Sequence, residues 1–240
     1  MLVRRLLGLA SRGHTKYTRH TSGHAPHELQ LTAIPYHYHE GFLPETREQF
    51  QSSFLIYDDF ISVEEEQSLF NEVEPHLKRQ TYEKDHWDDA ISNFRETERK
   101  HWNAHNLPVI QRLQKFAFEP HLKLLPYVHV LDLAPQGYIK PHIDSARFCG
   151  DIVAVLSLLS DSVARFVHDQ SKDQIVDCLV RQRSLYVMKG SSRYDFTHEI
   201  LRSEDSILKD PNDNERKIDK TRRISIVCRC EPDVTIRHKT

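Results

Sequence analysis

Phe54, Leu55, Ile56 and Tyr57 form a short unbroken apolar run closed by Asp58 and Asp59, which predicts a buried strand. Ser62 followed by Glu65 makes a capping box, and Val63, Phe70, Val73 and Leu77 fall on one helical face behind it. A helix of about four turns follows, bent at Pro75. After Pro108, the positions Val109, Ile110, Leu113, Phe116 and Ala117 repeat at helical spacing and predict a second amphipathic helix. From Tyr127 the period shortens. Runs rich in Val, Ile, Leu and Tyr, separated by turn residues, predict strands at Tyr127 to Leu133, Tyr138 to Asp144, Ile152 to Leu159, Ala164 to His168, Ile175 to Val180, Ser184 to Met188, around His198, and at Arg223 to Cys230. Helices ahead of such a series predict a mainly β fold, a sandwich or jelly roll with flanking helices, rather than alternating βαβ units.

The chain ahead of Phe54 lacks such periodicity. The stretch from His24 to Pro44 is rich in His, Pro and Tyr and reads as a linker, with residues 28–50 connecting to a folded domain at 51–235. His37 and His39 lie in it with no third ligand nearby. Residues 1–27 carry Arg4, Arg5, Arg12, Lys16 and Arg19 and no acid, beside a short Leu-rich run. That is the pattern of a mitochondrial presequence, which places the protein in the mitochondrial matrix; a disordered basic tail is the competing reading. Loss of those five cations would take the formal charge from −2 to about −7.

A chain of 240 residues, 38% hydrophobic and 28% charged, can bury one sizeable core. No stretch approaches the roughly 18 consecutive apolar residues of a membrane-spanning helix. Cys149, Cys178, Cys228 and Cys230 form no CxxC pair and are too few for a disulfide framework, so a reducing compartment is expected.

The strand 138–144 places Tyr138, Lys140, His142 and Asp144 on one face. A His and an Asp two apart can occupy adjacent positions on one metal ion, and a third ligand would complete a 2-His-1-carboxylate set. The dipeptide pattern alone has little weight, because His86 and Asp88 repeat it in the charged segment between the helices. A structural role for His142 and Asp144 competes equally on this pattern. The last strand adds a second signal: Ile224, Ile226, Cys228 and Cys230 alternate with Arg223, Ser225, Val227 and Arg229. Two arginines on one face of a strand inside a β domain imply an anion, and the guanidinium fork suits a carboxylate. The competing reading sends both to solvent or to an internal acid such as Asp132. A zinc site on the same His and Asp would leave the arginines unexplained.

His142-x-Asp144, the stretch from Gly190 through Arg193 to His198 and Ile200, and Arg223-x-Ser225-x-x-x-Arg229 appear in the order and spacing of the AlkB-type iron(II) and 2-oxoglutarate-dependent dioxygenases. The chain resembles that family over roughly residues 50–232. It is most similar to the mitochondrial branch through Val-Leu-Asp-Leu at 130–133, Gly-Tyr-Ile-Lys-Pro-His at 137–142, Ser-Leu-Leu-Ser at 157–160 and Arg-Tyr-Asp-Phe at 193–196. The resemblance implies a double-stranded β-helix, a jelly roll buttressed by N-terminal helices. It implies His142, Asp144 and His198 as ligands of Fe(II), with 2-oxoglutarate and O2 as cosubstrates. Arg223 would grip the distal carboxylate of 2-oxoglutarate, with Arg229 and the hydroxyl of Tyr186 assisting, although aromatic packing competes as the role of Tyr186. One departure stands out: where many family members carry Asn and Tyr before the His-x-Asp strand, this chain has Leu131 and Leu133, so more of the anchoring falls on Arg223, Arg229 and Tyr186. The loop from Ser203 to Lys220 also looks lengthened.

By the family's chemistry, oxidative decarboxylation of 2-oxoglutarate would be coupled to hydroxylation of a C–H bond. Nucleic-acid demethylases of this kind carry a basic, aromatic lid ahead of the His-x-Asp strand. Here residues 81–106 mix Lys84, Arg95, Arg99 and Lys100 with Glu83, Asp85, Asp88, Asp89, Glu96 and Glu98. A protein substrate is therefore expected, and the resemblance adds a role in regulated necrosis and fatty-acid metabolism. The alternatives are demethylation of N-methylated bases in mitochondrial RNA and a non-enzymatic interaction module with a vestigial site.

Overall fold

The computed structural model describes residues 36–86, 90–209 and 214–232. The presequence at 1–27 and Asp88 of the second His-x-Asp lie outside the described residues. Among the described residues, one antiparallel sheet of eleven strands, including β1 (Tyr36–Tyr38), β2 (Phe54–Tyr57) and β3 (Glu83–Asp85), curls on itself in the order β1-β8-β7-β10-β5-β13-β6-β9-β2, with β4 pairing β5 and β3 pairing β4. The strands that set the site are β4 (Ile91–Arg99), β5 (Val128–His142), β6 (Val153–Leu158), β7 (Ser162–His168), β8 (Ile175–Val180), β9 (Leu185–Met188), β10 (Phe196–Ile200) and β13 (Arg223–Arg229). The curl encloses an apolar core from both halves: Phe166 of β7, Val176 and Val180 of β8 and Phe196 of β10 meet Leu131 and Leu133 of β5, Val153 and Val155 of β6, and Tyr186 of β9. This is the jelly roll expected of the strand pattern.

The outer face of the larger half carries the two anticipated helices. The first, α2 (Val63–Leu77), begins at the capping box: Ser62 Oγ accepts from the Glu65 amide, and the Glu65 carboxylate accepts from the Ser62 amide. Leu69, Val73 and Leu77 of α2 and Val109, Ile110 and Leu113 of α3 (Leu107–Ala117) pack on Val130, Leu156, Ile224, Ile226 and Cys228. Each such side chain, fully buried, contributes about 1.5–3 kcal/mol. The alternation along β13 is thereby realised, with its apolar face under the helices and Arg223, Ser225, Val227 and Arg229 turned into the curl.

Three local expectations are corrected. Residues 28–50, read as a linker, contain strand β1 (Tyr36–Tyr38), paired with β8, and the start of helix α1 (Pro44–Ser53). Tyr36 and Phe50 insert among Phe54, Phe166 and Phe196, so the aromatic side chains rather than a period hold this segment to the sheet. The charged segment 79–106 contains a hairpin of β3 (Glu83–Asp85) and β4, and the charges of β4 are met by residues of β5 beside it. Arg95 reaches Asp132 at 2.7 Å and Glu96 reaches His129 at 2.8 Å. Finally, the two strands anticipated at 127–133 and 138–144 are one strand, β5, which continues through Pro135 and Gly137 and ends at His142. Asp144 follows it in the chain outside the strand.

Strand β5 joins the two halves. Residues 129–133 pair with β13 whereas Ile139 and His142 pair with β10, and β4 pairs with β5 along both stretches, at 128–133 and again at 138–139. Gly137 sits where it changes partners, and a Cβ there would lie 2.5 Å from the Asn93 carbonyl oxygen. The loop 203–220 folds as a second hairpin, β11 (Ile207–Lys209) with β12 (Glu215–Lys217). It buries Leu208 and Ile218 against Val163 and Leu179 on the outer face of the smaller half.

Candidate metal and cosubstrate site

His142 ends β5 and His198 lies on β10, where the two are opposed in register. Their rings stand 4.3 Å apart between centroids. Asp144 completes the group: its carboxylate oxygens lie 3.9 Å from His142 Nε2 and 3.9 Å from His198 Nε2, and one ligand atom from each residue fits within 4.8 Å of the others. His142 Nδ1 lies 3.0 Å from the Lys140 carbonyl oxygen. It donates there, which leaves Nε2 with its lone pair toward the group. Burial, reinforced by His142, pushes His198 down to about 3, so its imidazole is neutral and able to ligate. Burial alone would raise the Asp144 carboxyl, but neighbouring positive charge outweighs it and holds the group below the usual range. Arg229 and Arg193 are permanent cations among its neighbours. Two imidazoles and an ionised carboxylate are the donor set of a divalent metal.

Deeper in the curl, Arg223 is completely buried. Its Nε donates to Ser157 Oγ at 3.1 Å and its Nη1 to Ser225 Oγ at 2.5 Å, while Nη2 is buried with no hydrogen-bond partner. No carboxylate pairs with it among the described residues. The alternative partner Asp132 lies elsewhere in the network, bound to Arg95, Arg222 and Tyr82. A second cation is close, Lys220, whose Nζ donates to the carbonyls of Pro135 and Gly137. A buried guanidinium with a donor to spare and cationic company is suited to a carboxylate ligand. Tyr186 lies in the same interior core, 8% exposed, with its ring 5.8 Å from Phe54, so it does pack as an aromatic.

No family model matches the chain. Curated proteins do: among them, the mitochondrial alpha-ketoglutarate-dependent dioxygenase alkB homolog 7 of Bos taurus is 49% identical over 183 residues, 76% of this chain and 80% of that protein. Its counterpart from Mus musculus is 49% identical over 179 residues, covering 75% and 79%. The chain belongs to the alkB homolog 7 family. Solved structures agree on the fold alone. OsALKBH1 aligns with a TM-score of 0.50 at 12% identity, covering 74% of this chain and 97% of that one. A prolyl hydroxylase from Trichoplax adhaerens, in complex with a hypoxia inducible factor peptide fragment, aligns at 0.52 and 8% identity, covering 81% and 90%.

As a member of the alkB homolog 7 family the protein is an alpha-ketoglutarate (2-oxoglutarate) dependent dioxygenase, and its relatives are named mitochondrial. The chemistry of the donor set and the orphaned Arg223 nitrogen both fit the metal and cosubstrate that such an enzyme uses. Leu133 stands across from Arg223 and Leu131 across from Ser225 on neighbouring strands, both buried, so neither of these two positions offers a side-chain donor beside Arg223. Two participants were not evident from residue spacing. Ser157 holds Arg223 from β6, and Arg193 is fully buried beside Asp144, donating to its carbonyl oxygen.

Proposed function

We propose that the protein is a mitochondrial matrix Fe(II) dioxygenase that hydroxylates a protein side chain. The carrying observation is the convergence of His142, Asp144 and His198 in the same curl as a buried arginine with an unused donor. In this reading the three side chains hold Fe(II), which supplies dioxygen activation coupled to decarboxylation of the cosubstrate. Arg223 binds the distal carboxylate, fixed in aim by Ser157 and Ser225. Arg229, beside Asp144, lies toward the keto-acid end, and the family resemblance gives the Tyr186 hydroxyl a contact with the same cosubstrate. The buried apolar walls exclude water from the reacting carbon.

A protein acceptor is favoured over nucleic acid by the β3–β4 hairpin. Glu83, Lys84 and Asp85 are all exposed there, so the surface alternates in charge where a nucleic-acid lid would be basic. The roles in regulated necrosis and fatty-acid metabolism are carried over from the family resemblance. The test incubates purified protein with Fe(II), ascorbate and 2-oxoglutarate, with and without mitochondrial protein extract, and reads succinate and oxidised peptides against a His142→Ala control. Extract-stimulated succinate and an oxidised peptide support the reading. Formaldehyde release from mitochondrial RNA in place of peptide oxidation overturns it in favour of demethylation, and succinate no higher than the control leaves an interaction module.

A further inference from the structure

Helix α4 (Gly190–Tyr194) is a single short turn between β9 and β10, and it is bolted down. The Ser192 amide donates to Ser53 Oγ at 3.0 Å, and Ser192 Oγ donates to the Ser53 carbonyl at 2.9 Å. The next side chain, Arg193, is fully buried. Its guanidinium spreads across the loop that follows β5: Nη1 donates to the Asp144 carbonyl at 2.7 Å and Nη2 to Cys149 Sγ at 3.1 Å. One planar group thus holds both ends of residues 144–149. Between them Arg147, Phe148 and Cys149 all turn back onto Ser145.

Among the described residues Arg193 has no hydrogen-bonded carboxylate, and its Nε is buried with no hydrogen-bond partner. If its task were only to fill space, an apolar side chain of the same volume would do it with far less desolvation. What the guanidinium adds is a fixed fork and a positive charge beside the one anionic member of the metal group. The same short segment continues into His198, five positions on, so it presents one ligand and grips another.

We propose that Arg193 is a positioning residue for the metal centre, clamping residues 144–149 so that the Asp144 carboxylate is preset against His142 and His198. The inference rests on the reading of those three residues as a metal site. Partners of this kind outside the ligand set typically change metal affinity by about 10–100-fold.

The test uses Co(II) as the metal, measured by calorimetry and by visible absorption of the bound ion, on the full chain without cosubstrate. Arg193→Lys keeps the charge and loses the fork; Arg193→Met keeps the bulk and loses both. Expected is a loss of Co(II) affinity of about tenfold or more in each, with an altered absorption band. The metal-free melting temperature of Arg193→Met should stay near that of the parent. Co(II) affinity within about twofold of the parent with an unchanged band, in whichever variant folds, overturns the clamp. Cys149→Ala, which removes one arm of the fork, decides the matter if neither Arg193 variant folds: an altered band supports the clamp and an unchanged one overturns it. A His142→Ala control separates the two levels. Parental affinity in that variant would overturn the metal site itself, whereas lost affinity there with parental behaviour in Arg193→Lys would overturn the clamp alone.

Discussion

His142 and His198 face each other across β5 and β10 as register partners, although 56 positions separate them in the chain. A register slip of one residue on either strand would send one imidazole to the opposite face. The placement of the two imidazoles is therefore as well defined as the pairing of two strands.

Replacing either histidine by Ala leaves two ligands and should weaken divalent-metal binding by more than about 100-fold, beyond what outer partners cause. Calorimetric titration with Co(II) measures it, and binding retained within tenfold in either variant would contradict the assignment.

Arg223→Ala should spare the metal and raise the 2-oxoglutarate requirement by at least ~30-fold, since loss of a buried charged hydrogen-bond partner costs roughly 2–5 kcal/mol. The checks are the cosubstrate dependence of succinate formation and Co(II) affinity. Unchanged dependence on 2-oxoglutarate would refute the role.

Asp132 ties three elements together on the buried side of β5: Arg95 of β4 at 2.7 Å, Arg222 ahead of β13 at 2.7 Å, and Tyr82 at 3.2 Å. Arg222 also pairs with Glu74 of α2. Asp132→Ala leaves two guanidiniums without their shared partner and should cost about 3 kcal/mol of folding stability. Urea denaturation reads the change; a loss under about 1 kcal/mol would show the network to be dispensable.

Lys220 gives the stability curve an alkaline slope. Burial, and then the charge of Arg223, bring its ammonium down to about 8 from 10.5. Below about 8 the folded and unfolded chains are both protonated and the folded state carries the whole penalty. Between 8 and 10.5 the unfolded chain holds more protons, so this site's contribution to stability rises with pH and levels off above 10.5. The stability of the parent relative to Lys220→Met should therefore climb from about pH 7 to about pH 10 in urea titrations, and a flat difference would contradict the assignment.

Much of this was legible in the chain because burial acts on one face at a time. β13 displays its two environments as strict alternation, and the Ser62–Glu65 cap announces α2. What escaped notice was held by pairing rather than by period. β4 carries Arg95, Glu96 and Arg99 inside a strand, and they read as solvated charge until Asp132, His129 and Glu72 are seen opposite them. Pro135 and Gly137 read as a turn, yet β5 passes through them where it changes partners. Arg193 and Ser157 act on the site only through contacts made by remote segments, which no local spacing encodes.

Because β5 runs without interruption from the helix-backed half to His142, the two halves of the curl have no seam along which to part. Heat or denaturant should find a single cooperative unit, in which the helical layer melts and the imidazoles separate at the same midpoint.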